Sequence, residues 1–222
     1  MFCQVIDLGL IDYLEAYNFQ KKLLDQIKQG KLNSSIVLCQ HYPVITIGRL
    51  GNMKNILVSQ DFLEQKNIQT IYIDRGGDVT YHGPGQLVVW PLIDLKKYKK
   101  DLHNFLNNLE EVIVATLASF AIKADKILGK RGVFVQEEKI ASIGIGVSQW
   151  ISFHGVSLNI KEDINGFNFI RPCGLNVKMT SMEKLLNQNI DLELVKGRIL
   201  EKFKIIFDLE VYNDTSNLAR IG

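Results

Sequence analysis

The spacing of apolar residues changes period several times along the chain. Tyr13, Tyr17, Leu24 and Ile27 recur at helical spacing behind Asp12 and Glu15, a capping-box arrangement, and predict a helix over residues 12–29 that stops at Gly30. Two β-branched runs, residues 35–39 and 44–47, flank His41-Tyr42-Pro43 and read as neighbouring strands. A short helix is predicted over 59–67 and strands over 70–73 and 87–93, with the glycine-rich stretch between those strands forced into a loop. Leu102, Phe105, Leu106, Leu109, Val112, Ile113, Thr116, Leu117 and Phe120 mark a strong helix over 101–121. Residues 132–160 alternate apolar runs with turns, as an antiparallel meander does. Thr180 with Glu183 then predicts a short capped helix, and residues 192–207 a final amphipathic one. Strands and helices intermixed in this order predict an α/β (α+β) fold with a mixed, largely antiparallel sheet flanked by helices.

Composition narrows the function classes. The chain has 222 residues, 46% hydrophobic and 23% charged, which suits one globular domain. No apolar run approaches the roughly 18 residues of a membrane span, and residues 1–7 lack the basic-then-apolar order of a signal peptide, so a cytoplasmic protein is expected. A net charge of +2 gives no reason to expect a nucleic-acid partner. The basic runs Lys96-Lys97-Lys99-Lys100 and Lys123-Lys126-Lys130-Arg131 read as solvated faces or as docking points for an acidic protein.

Candidate chemistry concentrates in a few places. Residues 75–86 hold four glycines, framed by Arg75 and His82, a density that is costly unless the backbone must turn or approach a ligand closely. Neither phosphate-loop pattern is present there. The four histidines show no metal-ligand spacing, so no metal or cofactor is expected; His41 and His103 read as hydrogen-bonded structural residues. Three cysteines without a C-x-x-C pair suggest a reducing compartment. Cys39 and Cys3 fall in apolar runs. Cys173 stands in the turn Pro172-Cys173-Gly174, where a thiol is held at a loop edge and is more reactive than in a core. On its own residues Cys173 is as well read as an inert loop cysteine, and Lys139, after Glu137-Glu138, as a solvated lysine at a hairpin turn.

Taken together, residues 75–86, Lys139 to Gly144, Ser152 to Asn159 and Arg171-Pro172-Cys173-Gly174 closely resemble the lipoate-pathway octanoyltransferases, in the family's order and across most of the chain. The resemblance implies a biotin/lipoate protein ligase-like fold in a single catalytic domain, residues 1–222, monomeric and without a membrane partner. It implies transfer of an octanoyl group from octanoyl-acyl carrier protein to a lysine of lipoyl domains, those of 2-oxoacid dehydrogenases and of the glycine cleavage H protein. By it Cys173 is the acyl-accepting nucleophile and Lys139 the lysine that tunes it. Arg75, Gly76, Gly77, Asp78, Val79, Thr80, Tyr81 and His82, with Ser142, Ile143, Gly144, Gly155, Val156 and Ser157, enclose the acyl chain. Gly146, Ser148, Gln149 and Arg171 depart from the pattern common among relatives and shift carrier docking to other basic residues. Oxyanion stabilisation is expected from backbone N–H groups beside Cys173 or in the glycine-rich stretch, with His82 as a further candidate. An ATP-dependent ligase of the same fold and a non-catalytic binder of acylated carrier domains are the competing readings.

Overall fold

The computed structural model describes residues 2–161, 163–172 and 177–213. Cys173 and Gly174 lie outside the described residues.

Among the described residues eleven strands form two sheets. In chain order they are β1 (Phe2–Ile11), β2 (Ser34–His41), β3 (Val44–Ile47), β4 (Gln69–Tyr72), β5 (Val79–His82), β6 (Gln86–Leu92), β7 (Asp125–Ile127), β8 (Lys130–Val135), β9 (Glu138–Ser148), β10 (Ile151–Asn159) and β11 (Glu210–Asn213). Eight of them make one sheet in the order β11-β1-β2-β6-β10-β9-β8-β7, and β4-β3-β5 make the other. The large sheet is parallel only at β11-β1-β2 and antiparallel from β2 onward, the expected mixed and largely antiparallel sheet.

The helices are α1 (Tyr13–Lys28), α2 (Gln60–Gln65), α3 (Leu102–Ala118), α4 (Met182–Leu186) and α5 (Leu192–Phe207). Strands β2 and β6 are buried on both faces, which is why they read as continuous apolar runs rather than alternating ones. Ile36, Leu38, Leu87 and Val89 pack with Phe105, Val112, Phe203 and Phe207 of α3 and α5. Their neighbours Val37, Cys39, Val88 and Trp90 turn to the other face and pack with Tyr13, Tyr17, Leu23 and Leu24 of α1. Asp12 accepts from the backbone N–H groups of Leu14 and Glu15 and so caps α1 as its sequence predicts.

Several expectations need correction. β2 and β3 are not neighbours: the chain breaks at Tyr42-Pro43 and β3 pairs with β4 and β5 in the smaller sheet. The glycine-rich stretch is not all loop, because Val79–His82 supplies β5. Ser181, not Thr180, caps α4, its hydroxyl accepting from the N–H of Lys184. Lys139 is not a solvated turn residue but the second residue of β9, and it is buried.

Candidate active site

The site is built where the two sheets meet. The 75–82 segment crosses over β9 and β10, anchored by the N–H of Gly76 on Ile145 O at 2.8 Å. Two glycines allow the close packing that results. A Cβ on Gly155 would lie 2.1 Å from Val89 O, so only glycine lets β10 approach β6 there, and a Cβ on Gly144 would lie 3.0 Å from Gly76 O.

A narrow slot opens between these elements. Of the expected residues it is lined by Arg75, Gly77, Val79, Thr80 and His82 on one side and Ser142, Ile143, Gly144, Gly155, Val156 and Ser157 on the other. Gly76, Asp78 and Tyr81 stand outside its lining. Asp78 instead ties down residues 52–55, accepting from the backbone N–H of Asn52 at 2.8 Å and from the Asn55 amide. Tyr81 packs edge-on to Phe167.

The slot also takes in Tyr13, Val88, Trp90 and His154, which pattern reading did not select. Tyr13 sits on the buried face of α1 and contacts the rings of His41, His82 and Trp90. Tyr13 lies on the apolar face of a helix and the other three in apolar strand runs, where such residues read as core; Tyr13, Trp90 and His154 are indeed buried, and only the gathering of three rings with polar atoms in one place sets them apart.

Arg75 brings a buried cation to the slot. Its guanidinium donates to Thr46 O at 2.8 Å, to Thr46 Oγ1 at 3.0 Å and to Gly76 O at 3.1 Å. His154 takes a left-handed backbone conformation (φ 54°) in mid-strand, strain of the kind that is retained at functional sites. Its Nε2 bonds Asp74 Oδ1 at 2.8 Å, the same oxygen that accepts from the Tyr17 hydroxyl at 2.7 Å. His154 Nδ1, with Thr80 Oγ1 and Ser142 Oγ, is buried with no hydrogen-bond partner among the described residues. Such groups are costly when left unmade, and three of them gather around this one slot.

Burial decides the protonation states. It pushes His82 well below its ordinary pKa, with the charges of His41 and Arg75 acting the same way against the Gln86 hydrogen bond. Burial also lowers His154, opposed by the Asp74 carboxylate. His41 is lowered to about 4, by burial against its bond to Ile11 O. His41 is thus the buried structural histidine expected, whereas His103 is exposed on α3. The thiol of Cys3 is pushed up to about 12 by burial, and that of Cys39 is raised in the same way. Both are unreactive core thiols at neutral pH.

Lys139 lies on β9 three residues before Ser142, roughly 10 Å along the strand. Its N–H donates to Lys178 O at 2.8 Å and its carbonyl accepts from Thr180 N at 2.9 Å. Its Nζ stands 5.8 Å over the Phe134 ring. Gly132 makes room for it: a Cβ there would fall 2.5 Å from Lys139 Cε and 3.1 Å from Nζ. Pro172, Lys178 and Met179 border one hollow together with Glu138, the residue before Lys139.

Comparison with known proteins is consistent along the whole chain. Residues 12–204 match the lipoyl protein ligase A/B catalytic domain. A Solibacter usitatus protein named octanoyltransferase is 42% identical over 98% of this chain and 98% of its own. A Pelobacter propionicus protein of the same name is 39% identical over 91% of this chain and 94% of its own. Among solved structures, a lipoate-protein ligase A bound with ATP superposes with a TM-score of 0.80 at 11% identity, covering 100% of this chain and 92% of its own. A bi-partite lipoate protein ligase from Thermoplasma acidophilum gives 0.75 at 12% identity, covering 100% and 90%. These distant likenesses establish the biotin/lipoate ligase-like fold, and the closer relatives establish that the chain belongs to the octanoyltransferases, acyltransferases within the lipoyl protein ligase A/B catalytic-domain family.

Proposed function

We propose that this single-domain enzyme transfers an octanoyl group from octanoyl-acyl carrier protein to a lysine of lipoyl domains, through a thioester on Cys173. The acceptors are the lipoyl domains of 2-oxoacid dehydrogenases and the glycine cleavage H protein, in the cytoplasm. The observation that carries the reading is the burial of Lys139 on the strand that also lines the slot, with its ammonium seated against Gly132. A buried lysine needs a reason, since desolvation of its charge is expensive, and tuning a thiol is one.

The chemistry runs in two steps. A free cysteine of pKa about 8.5 is only about 3% thiolate at pH 7, and a neighbouring ammonium raises that fraction tenfold or more. The Cys173 thiolate attacks the donor thioester carbonyl, the carrier's thiolate leaves, and the proton taken up by that thiolate comes from Lys139. The acceptor lysine, of pKa about 10.4 in water, then gives one proton to neutral Lys139, attacks the acyl-enzyme carbonyl as the free amine, and loses its second proton to solvent as the tetrahedral intermediate expels the Cys173 thiolate. Amide formation from a thioester is downhill, so ATP has no role. The other two cysteines, buried and with raised pKa, leave the thiolate chemistry to Cys173.

The test is direct. Octanoyl carrier protein mixed with the enzyme without ATP should give an acyl adduct, visible by intact mass, labile to hydroxylamine and discharged by an apo lipoyl domain. Persistence of that adduct in Cys173→Ala would overturn the mechanism. A strict ATP requirement would favour a ligase, and binding without transfer a carrier-binding protein.

A further inference from the structure

A line of buried side chains crosses the site from the smaller sheet to the Lys139 strand. His82 Nδ1 meets Gln86 Oε1 at 2.6 Å. Gln86 Nε2 donates to Asn159 Oδ1 at 2.9 Å and to Tyr81 O at 3.3 Å. Asn159 Nδ2 donates to Thr180 O at 3.0 Å, and Thr180 N donates to Lys139 O. His82, Gln86, Asn159 and Thr180 are all buried.

The direction of this chain is forced. A backbone carbonyl can only accept, so Thr180 O requires the amide nitrogen of Asn159 beside it, which leaves Asn159 Oδ1 facing Gln86. That oxygen and Tyr81 O both require the Gln86 nitrogen, which leaves Gln86 Oε1 facing His82. The two carbonyls therefore settle amide orientations that a side-chain contact alone would leave ambiguous.

We propose that Gln86 and Asn159 are positioning residues that hold neutral His82 as its Nδ1–H tautomer, so that His82 offers bound substrate an acceptor at Nε2 and never a donor. Among the described residues nothing bonds that Nε2. The proposal deepens the acyl-transfer reading and rests on it for the substrate: the group His82 receives is an N–H or O–H of the bound reactants. It also removes His82 from the candidates for stabilising an oxyanion, since a lone pair there would repel one. Donors for the oxyanion are then backbone N–H groups or the unpartnered hydroxyls of Thr80 and Ser142.

The test needs no turnover. With histidine labelled by 15N, long-range proton–nitrogen correlation spectra at pH 7 distinguish pyrrole-like from pyridine-like ring nitrogens, and His82→Phe identifies the His82 signals among four histidines. The expected result is protonated Nδ1 and bare Nε2. Gln86→Leu should shift the population to the Nε2–H form, whereas Asn159→Asp, which keeps an acceptor for Gln86, should preserve Nδ1–H. Gln86→Glu should keep that tautomer and move the His82 titration to higher pH. A purely structural role would lower stability in these variants without exchanging tautomers. A wild-type His82 carrying its proton on Nε2, or an unchanged tautomer in Gln86→Leu, would overturn the proposal. Because the spectra are read without substrate, that failure would leave acyl transfer standing, and failure of acyl transfer would leave the tautomer standing.

Discussion

His82 and His154 line the same slot, and the fold supports them in opposite ways. His82 leans on neutral amides that end at a backbone carbonyl, while His154 leans on the Asp74 carboxylate, itself held by Tyr17. Amides choose which nitrogen carries the proton and leave the charge alone. A carboxylate makes the same choice and also pulls toward the imidazolium, which burial here resists. The first arrangement suits a fixed acceptor, the second a histidine whose orientation is secured by charge. The neutral chain continues to the main chain of Lys139, so the two supports also differ in what they reach.

The largest expected effect breaks the comparison at the Lys139 end. Lys139→Met keeps the side-chain volume but removes the ammonium, and should slow acyl-enzyme formation by about 10²–10⁴-fold in single-turnover mass measurements, with the fold intact by circular dichroism. A rate near wild type would detach Lys139 from the chemistry.

Titration sharpens the comparison next. His41, His82 and His154 all have folded pKa values below the ordinary 6.5, so the unfolded chain binds the extra protons as pH falls. Stability is therefore full above about pH 6.5 and is lost as pH drops toward the folded values. For His41, lowered to about 4, the loss is about 3 kcal/mol. Urea unfolding at pH 7, 5.5 and 4.5 should show a slope that flattens in His41→Phe, and an unchanged slope would contradict the buried neutral imidazole.

Gly132→Ala tests how tightly the Lys139 seat is built. The added methyl meets Lys139 Cε and the Ala141 carbonyl, at a backbone φ of 122° that side chains rarely adopt. Displacing the ammonium by about 1 Å should cost about 10²-fold in acyl-enzyme formation. Retention of the wild-type rate would show that the ammonium has room to spare.

The smallest effect concerns the charged support alone. Tyr17→Phe removes one of the two hydrogen bonds to Asp74 Oδ1 and should cost about 1 kcal/mol in urea unfolding, with transfer activity within about twofold. A large activity loss would make Asp74 and His154 partners in the reaction rather than a wall of the slot.

Much of this molecule is written locally. The cap at Asp12, the period of α3, the meander from residue 130 to 159 and the glycine density at 75–86 each follow from residues within a few positions of one another. The motif residues Arg75, His82, Ser142 and Gly155 were legible because their neighbours in sequence accompany them into the slot. Tyr13 and His154 were not: an aromatic residue on the apolar face of a helix reads as core until another sheet is seen to reach it.

Sequence by itself determined the helices α1 to α5, the mixed and largely antiparallel sheet and the membership of the octanoyltransferase family. Tertiary structure alone decided that β2 and β3 part into different sheets, because Pro43 ends the pairing while His41 remains buried. It alone decided that Lys139, which local composition assigns to solvent, is buried against Gly132. And it alone set the direction of the amides beside His82, since that direction depends on a carbonyl at Thr180, nearly a hundred residues away. Burial and long-range hydrogen bonding are properties of the assembled sheet, and no short stretch of chain encodes them.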